Sequence, residues 1–368
     1  MSRAVALARR GRGSVEPNPM VGAVIVRDGR IIGAGWHKRF GDPHAEVEAI
    51  AAAAAAGEDP AGGTLYVTLE PCCHHGKTPP CTEAIIAAKI ARVVAAMEDP
   101  DPNVAGRGLA ALRAAGVEVL VGPMEQAARR LLAAYVKLRT RGRPWVICKW
   151  AQSLDGRIAT ASGQSKWISS EASRRRVHEL RGRCDGVCVG AGTVSADDPL
   201  LTNRSGAGRQ PARVILDDRL VTPPGGRLLA TAGESPVIIA TVEGAPPAAA
   251  EALTGAGAEV LTLPAGDGGV DLGALLDELG RRQWTNLLVE GGQAVLGSFI
   301  AAGLADELRV FVAPRLVGGA GSLGPVAWAD TDAIDQTLAL PAPQVETVGP
   351  DILLRYLLTD PARNTKGT

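Results

Sequence analysis

Strand-like and helix-like runs alternate along almost the whole chain, and that alternation confines it to layered α/β architectures. It begins with a strand pair, Val21 to Val26 and Arg30 to Gly35, around the turn Asp28-Gly29. An alanine-rich helix from Glu46 to Ala56 follows and is stopped by Gly57. A strand at Thr64 to Leu69, a helix opening near Pro79-Pro80, a strand at Arg92 to Met97, a helix at Gly108 to Ala115 and a strand at Val117 to Val121 complete a first layered domain.

Glu125 to Arg139 reads as one helix, and Thr140-Arg141-Gly142-Arg143-Pro144 is a basic break containing glycine and proline. The expected domains are therefore residues 1–143 and 144–360, a division that suits a chain of 368 residues. The second series has strands at Trp145 to Ala151, Gly186 to Gly190, Arg213 to Asp217, Pro236 to Ala240, Glu259 to Leu263, Asn286 to Glu290, Glu307 to Val312 and Ile352 to Leu358. Helices fall between several of them, such as Glu171 to Arg181 and Leu272 to Arg281. Gly206 to Gln210, Ala265 to Gly269 and Gly318 to Gly321 read as loops.

Composition excludes several classes. Lysine plus arginine and aspartate plus glutamate both number 39, so charge alone predicts no nucleic-acid partner and no anionic membrane. The apolar run Ala4 to Ala8 is too short for the core of a secretory signal. The longest apolar run, Ala49 to Ala56, is far below the roughly 20 residues needed to span a bilayer. A cytoplasmic protein is expected, and its six cysteines are expected to stay out of disulfides.

The rare residues cluster. Four of five histidines (His37, His44, His74, His75) lie in the first 75 residues, and Cys72, Cys73 and Cys81 lie within ten residues of one another. Pro43-His44-Ala45-Glu46 precedes Glu70-Pro71-Cys72-Cys73-His74-His75-Gly76-Lys77-Thr78-Pro79-Pro80-Cys81. His44, Cys72 and Cys81 offer zinc one imidazole and two thiolates, leaving the fourth tetrahedral position for water. Zinc brings that water to hydroxide near neutrality, and Glu46 is spaced to shuttle protons without ligating the metal.

H-x-E followed by P-C is the pattern of zinc-dependent nucleobase deaminases, but the usual C-x-x-C half is absent, because eight residues separate Cys72 from Cys81. That spacing, with His-Gly-Lys-Thr-Pro-Pro inside it, resembles the deaminase domain of the bifunctional riboflavin-biosynthesis deaminase/reductase family. Pro17-Asn18-Pro19-Met20-Val21-Gly22 and the stretch from Asp99-Pro100-Asp101-Pro102-Asn103 to Gly108 resemble it too. The resemblance implies a cytidine-deaminase-like α/β/α domain, with Asn18, His75 and Lys77 on the substrate, and His74 is expected to face the substrate with them. Cys73 stands where the family has a small polar residue, and Cys72 is the expected ligand. The chain departs from the family at Leu131-Leu132-Ala133-Ala134-Tyr135, where an asparagine and a phenylalanine are common.

In the second domain, Lys149-Trp150-Ala151-Gln152-Ser153-Leu154-Asp155-Gly156 joins a strand to a turn. Gly190-Ala191-Gly192-Thr193-Val194 and Val289-Glu290-Gly291-Gly292 both put glycines right after a strand, where a ligand can approach the backbone. The helix after Gly292 has exposed amides that can cradle a phosphate. These segments resemble the reductase domain of the same family, which implies a dihydrofolate-reductase-like α/β fold and NADPH. By motif, the resemblance places Ala151, Trp167, Thr193, Asp197, Gly292, Gln293, Ala294, Val295, Leu296, Gly297 and Ser298 on the cofactor. Ser165, Arg181, Leu201, Arg204 and Glu290 fall on the phosphoribosyl substrate, and both arginines suit a phosphate. Lys149 and Glu290 are the candidates for polarising or positioning the sugar.

Gly319-Ala320-Gly321-Ser322-Leu323-Gly324 satisfies G-x-G-x-x-G, but Pro325 and a broken polar stretch follow, so it reads as a loop and not a dinucleotide fingerprint. The expectation is a two-step enzyme of riboflavin biosynthesis, a homo-oligomer using Zn2+ and NADPH. It deaminates 2,5-diamino-6-(5-phosphoribosylamino)pyrimidin-4(3H)-one and then reduces the ribosyl group of the product to ribityl. A rival reading, a single-activity deaminase on free nucleobases or RNA, lacks the basic face that RNA requires.

Overall fold

A computed structural model of the chain describes residues 1–76, 79–327 and 330–361. It divides into two compact units, Met1–Gly142 and Arg143–Thr359. Among the described residues no helix is long and apolar enough to cross a membrane.

The first unit runs α1 (Ser2–Ala8), β1 (Gly22–Arg27), β2 (Arg30–Trp36), α2 (Ala45–Ala55), β3 (Thr64–Val67), α3 (Cys81–Ala87), β4 (Arg92–Ala95), α4 (Arg107–Ala114), β5 (Glu118–Val121), α5 (Glu125–Leu131) and α6 (Ala133–Arg141). Its sheet has the order β2-β1-β3-β4-β5, with β1 antiparallel to both neighbours and β3, β4 and β5 parallel. The alanine-rich α2 lies almost in backbone contact with β2. A Cβ at Gly33 would stand 2.3 Å from the Ala49 carbonyl oxygen, and one at Gly35 2.6 Å from the Ala49 amide nitrogen. Small residues on both sides therefore set the depth of the helix that carries His44 and Glu46.

Two features of this unit differ from the sequence reading. The chain opens with α1, which buries Ala4, Val5, Leu7 and Ala8, where no element was assigned. The expected single helix over 125–139 is two, meeting at Leu132. The i→i−4 bonds Leu132 N–H to Ala128 and Val136 N–H to Leu132 persist through the junction, so the break is a kink. The apolar stripe Ala128, Leu131, Leu132, Tyr135, Leu138 that suggested one helix is buried along both halves.

The second unit begins with β6 (Trp145–Ser153), α7 (Glu171–Arg181), β7 (Gly186–Gly190), α8 (Ala191–Asp197), β8 (Ala212–Leu216), α9 (Arg227–Ala230), β9 (Val237–Val242), α10 (Pro247–Gly255) and β10 (Glu259–Leu263). A small ladder, β11 (Ala265–Gly266) with β12 (Gly269–Val270), occupies the expected loop, where Gly268 and Gly269 take positive φ. Then come α11 (Leu272–Arg281), β13 (Asn286–Val289), α12 (Gln293–Ala301), β14 (Glu307–Ala313), β15 (Gln344–Val348) and β16 (Asp351–Leu357). The nine-stranded sheet has the order β10-β9-β8-β7-β13-β6-β14-β16-β15, and only the two strands at the β15 end run antiparallel to their neighbours.

The runs Gly186–Gly190 and Val237–Val242 are apolar almost throughout because the parallel part of the sheet is covered on both faces. β13 sits between β7 and β6, far from its place in chain order. This is the kind of switch point at which α/β sheets leave a crevice at the carboxyl ends of strands. Val289 pairs with Cys148 on one side and Cys188 on the other, so Glu290 and Lys149, each one residue further, emerge side by side.

Candidate active sites

In the first unit, His44 is the residue preceding α2, Cys72 follows β3 through a short turn, and Cys81 opens α3. The Cys81 N–H donates to the Cys72 sulfur at 3.3 Å, and the Thr82 N–H to the Cys72 carbonyl at 3.2 Å, which fixes the turn against the helix. His44 Nδ1 stands 3.5 Å from Cys72 Sγ and 3.3 Å from Cys81 Sγ. All three donor atoms lie within 4.8 Å of one another. Tetrahedral zinc at ordinary bond lengths separates nitrogen and sulfur ligands by about 3.6 Å, so the set fits the ion as it stands.

Electrostatics agrees with that fit. The Cys81 thiol hydrogen-bonds Cys72 and, despite burial, holds it as a thiolate at about 4, with His44 assisting. That Cys72 charge, with burial, pushes Cys81 far up. Two buried thiols side by side cannot both ionise without a cation, and a divalent metal removes the conflict. Cys73 is only half-buried, and its thiol is pushed up by burial and by the nearby Glu70, so the structure gathers Cys72 and not Cys73 into the donor set.

Glu46 is buried, and burial raises its carboxyl to about 7. Its Oε2 has no hydrogen-bond partner. A buried acceptor left unpaired beside a metal donor set is what proton transfer to a bound molecule requires. The cleft here, about 130 Å³, is lined by Asn18, Glu46, His74, Asp99, Tyr135 and Arg139, among others. Of the two histidines expected to face the substrate, His74 lines the cleft, whereas His75 is exposed and lies 3.4 Å from Glu83. Lys77 falls outside the described residues.

Several residues of this site were not singled out from the sequence. His37 donates from Nδ1 to the Pro43 carbonyl (3.2 Å) and accepts at Nε2 from Asn18 Nδ2 (3.4 Å), while its ring packs edge-on against His44. Glu70 accepts four backbone N–H bonds, from Asp99, Gly106, Gly108 and Leu109, and so ties the 99–109 loop to the strand leading to Cys72. Tyr135 donates to Asp99 at 2.9 Å, and Arg139 lies 3.5 Å from Asp101. The signals were the clustering of His37 with the other histidines, the Asp-Pro-Asp-Pro-Asn stretch and the i,i+4 pair Tyr135 and Arg139 on one helix face.

In the second unit, Arg181 donates to both Glu290 oxygens at 2.6 and 3.0 Å, and Lys149 Nζ lies 3.6 Å away on the other side. Burial alone would raise the Glu290 carboxyl, but Arg181 and Lys149 outweigh it and hold the group at about 2. Burial pulls Lys149 down, against the opposing pull of Glu290. Arg181, expected on a phosphate, is thus committed to Glu290, while Arg204 is exposed. Leu201 is buried with φ of 55°, in the left-handed region that a side chain adopts only under constraint.

Thr193 Oγ1 abuts Gly291 and Gly292 so closely that a Cβ on Gly291 would stand 3.0 Å from it. Gly292, at φ of 71°, turns the chain into α12, which continues with Gln293. A groove of about 760 Å³ runs along this helix, lined by Ala294, Val295, Gly297 and Ser298 and faced by Asp218 and Gly268. Of the residues expected on the cofactor, Ala294, Val295, Gly297 and Ser298 line this groove, whereas Ala151, Trp167, Thr193 and Asp197 do not. Leu296 instead points its side chain into the core. Asp197 pairs with Lys166 at 3.1 Å, Trp167 is exposed beneath the Arg174 guanidinium, and Ala151 and Ser165 are half-buried. The Gly319–Gly324 segment carries no helix, and the Asp155 carboxylate accepts from the amides of Val317 and Gly318 just before it.

Comparison with known proteins gives two family matches. Residues 144–354 match the RibD C-terminal domain, and residues 1–97 match the cytidine and deoxycytidylate deaminase zinc-binding region. The riboflavin biosynthesis protein RibD of Aquifex aeolicus is 43% identical over 97% of this chain and 97% of its own length. A RibD structure from Acinetobacter baumannii superposes with a TM-score of 0.87 at 39% identity, covering 97% of each chain. The diaminohydroxyphosphoribosylaminopyrimidine deaminase/5-amino-6-(5-phosphoribosylamino)uracil reductase of Thermotoga maritima does so with a TM-score of 0.84 at 39% identity, again over 97% of each. Whole-length identity, both family matches and the order of the two units agree, and the chain belongs to the RibD family of riboflavin-biosynthesis enzymes, with a zinc-binding deaminase unit ahead of a reductase unit.

Proposed function

We propose that residues 1–143 deaminate 2,5-diamino-6-(5-phosphoribosylamino)pyrimidin-4(3H)-one and that residues 144–360 reduce the ribosyl group of the product to ribityl with NADPH. The observation that carries the first half is the His44, Cys72, Cys81 donor set beside the unpaired Glu46 oxygen. Those three residues would hold zinc, which supplies when bound a Lewis acid that makes water nucleophilic near neutral pH. Glu46 Oε2 takes the first proton from the attacking water and passes it to the ring nitrogen, then takes the second proton from the newly added hydroxyl and passes it to the amine, so that the carbonyl forms and ammonia leaves. Asn18, oriented by His37, sets the pyrimidine, and His75 and Lys77 on the ligand-bearing loop meet the phosphoribosyl end.

In the second unit, NADPH supplies the hydride when bound along α12. We assign its contacts to Ala151, Trp167, Thr193, Asp197 and the 292–298 segment. Lys149 and Glu290 position and polarise the sugar. Arg181 locks Glu290, while Ser165, Leu201 and Arg204 hold the phosphoribosyl group. We place the enzyme in the cytoplasm, as a homo-oligomer.

A stepwise assay of the purified chain tests this. Ammonia release from the diamino substrate should require zinc and not NADPH, and NADPH oxidation should begin only once the deaminated product is present. NADPH turnover without that dependence would overturn the reductase half.

A further inference from the structure

His178 lies in the last turn of α7, three residues before Arg181, and has no part in the roles assigned above. Its ring stands between three groups of the substrate-facing loop. Nδ1 is 3.2 Å from the Thr202 carbonyl oxygen and 3.2 Å from the Arg204 backbone nitrogen, and Nε2 is 3.2 Å from Arg204 Nη2. Either neutral tautomer accepts one hydrogen bond from Arg204, the backbone N–H at Nδ1 or the guanidinium at Nε2. The imidazolium accepts neither.

The loop backbone has its own anchors, since Asn203 Nδ2 donates to the Ala207 carbonyl at 2.6 Å and Gln210 Nε2 to the Asn203 carbonyl at 2.8 Å. The Arg204 guanidinium, by contrast, has its hydrogen-bond contact with His178 among the described residues. Arg181 Nη1 donates to the same Thr202 carbonyl at 3.1 Å. An exposed arginine on a mobile four-bond stem loses rotamer freedom when it grips an anion, and a side chain that already holds it lowers that cost.

We propose that His178 is a positioning residue of the reductase site, whose imidazole aims Arg204 at the phosphate of the phosphoribosyl substrate. The inference rests on the reading that Arg204 meets that phosphate. The charged groups facing the ring are Arg181 from its own helix, Arg204 from the loop and Glu290 from the turn after β13. Burial and the two arginines lower the imidazole from its ordinary value of 6.5, which keeps it in the accepting form at neutral pH.

The test is steady-state reduction of 5-amino-6-(5-phosphoribosylamino)uracil and of its dephosphorylated counterpart by the full-length enzyme. His178→Phe should raise KM for the phosphorylated substrate about tenfold, the usual worth of one charge-assisted hydrogen bond. It should leave kcat, the KM for NADPH, and turnover of the dephosphorylated compound within about twofold. His178→Asn or His178→Gln, which keep an acceptor at the Nδ1 or Nε2 position, should restore KM in at least one case. The wild-type KM should also rise more steeply below pH 6.5 than that of the rescuing variant. The substrate phosphate itself titrates near 6, so the difference between the two profiles is the readout.

Equal loss on both substrates, or failure of both rescue variants, would overturn the proposal. Arg204→Ala is the companion. If it raises KM and His178→Phe does not, the inference alone falls; if it leaves KM unchanged, the phosphate reading falls and takes the inference with it.

Discussion

Glu290 is the residue whose replacement should be felt most, because it is a buried anion between two buried cations. Arg181 binds both of its oxygens and Lys149 lies 3.6 Å away, and together they hold its carboxyl at about 2 against an ordinary 4.5. At about 1.4 kcal/mol per pH unit, the charged carboxylate contributes about 3 kcal/mol to the second unit at neutral pH. Glu290→Gln keeps the shape, removes the charge and leaves Lys149 and Arg181 facing each other unneutralised. That penalty has the size measured when one partner of a buried pair is removed, about 3–5 kcal/mol. For a unit of this size each kcal/mol is worth about 2–4 °C, so its melting transition should fall by about 6–20 °C. Differential scanning calorimetry reads this directly, with zinc-dependent melting of the first unit as the internal control.

The pH dependence has a definite sign. The carboxyl is depressed in the folded state, so its contribution is present above the unfolded value of about 4.5 and is lost as pH falls toward 2. Wild type should therefore lose second-unit stability steeply through that window. Glu290→Gln should lose less, its remaining acid sensitivity coming from groups such as Glu307, held at about 2 because Arg309 and Arg355 outweigh its burial. NADPH oxidation should fall sharply in the variant, while ammonia release stays at the wild-type rate. A melting shift under 2 °C, or acid profiles that run parallel, would refute the reasoning that this triad is net stabilising.

Glu46→Gln should cut ammonia release by about 10²–10⁴-fold while zinc content by elemental analysis stays unchanged, since the carboxylate moves protons and does not bind the ion. Cys81→Ala should abolish both zinc binding and ammonia release, and the melting point of its first unit should no longer respond to a chelator. Gly297→Ala places a Cβ 1.8 Å from the Ala327 carbonyl oxygen; the forced shift should cost about 1–3 kcal/mol in calorimetry and raise the KM for NADPH, because α12 is displaced along the cofactor groove.

The zinc half of the chemistry could be read from the sequence because its residues announce themselves locally. His44 and Glu46 share one helix start, Cys72 and Cys81 flank one turn, and a donor set of one imidazole and two thiolates is rare enough to recognise. Most strands and helices were equally legible, since they rest on periodicity within a dozen residues; α7, β10 and α11 stand where the pattern put them. The N-terminal helix was missed because seven residues carry too little pattern. The kink at Leu132 was missed because its apolar stripe runs through without interruption.

Other groupings depended on the tertiary structure. Lys149, Arg181 and Glu290 are spread across three segments, and they meet because β13 inserts between β7 and β6 with Val289 registered against both Cys148 and Cys188. Arg181 is taken by Glu290, His37 orients Asn18, and Glu70 gathers four amides of a distant loop. No local pattern encodes these contacts. Helix and strand signals arise from neighbours along the chain, whereas strand order follows from how whole apolar faces are covered, and a buried charge finds its partner only after that order is set.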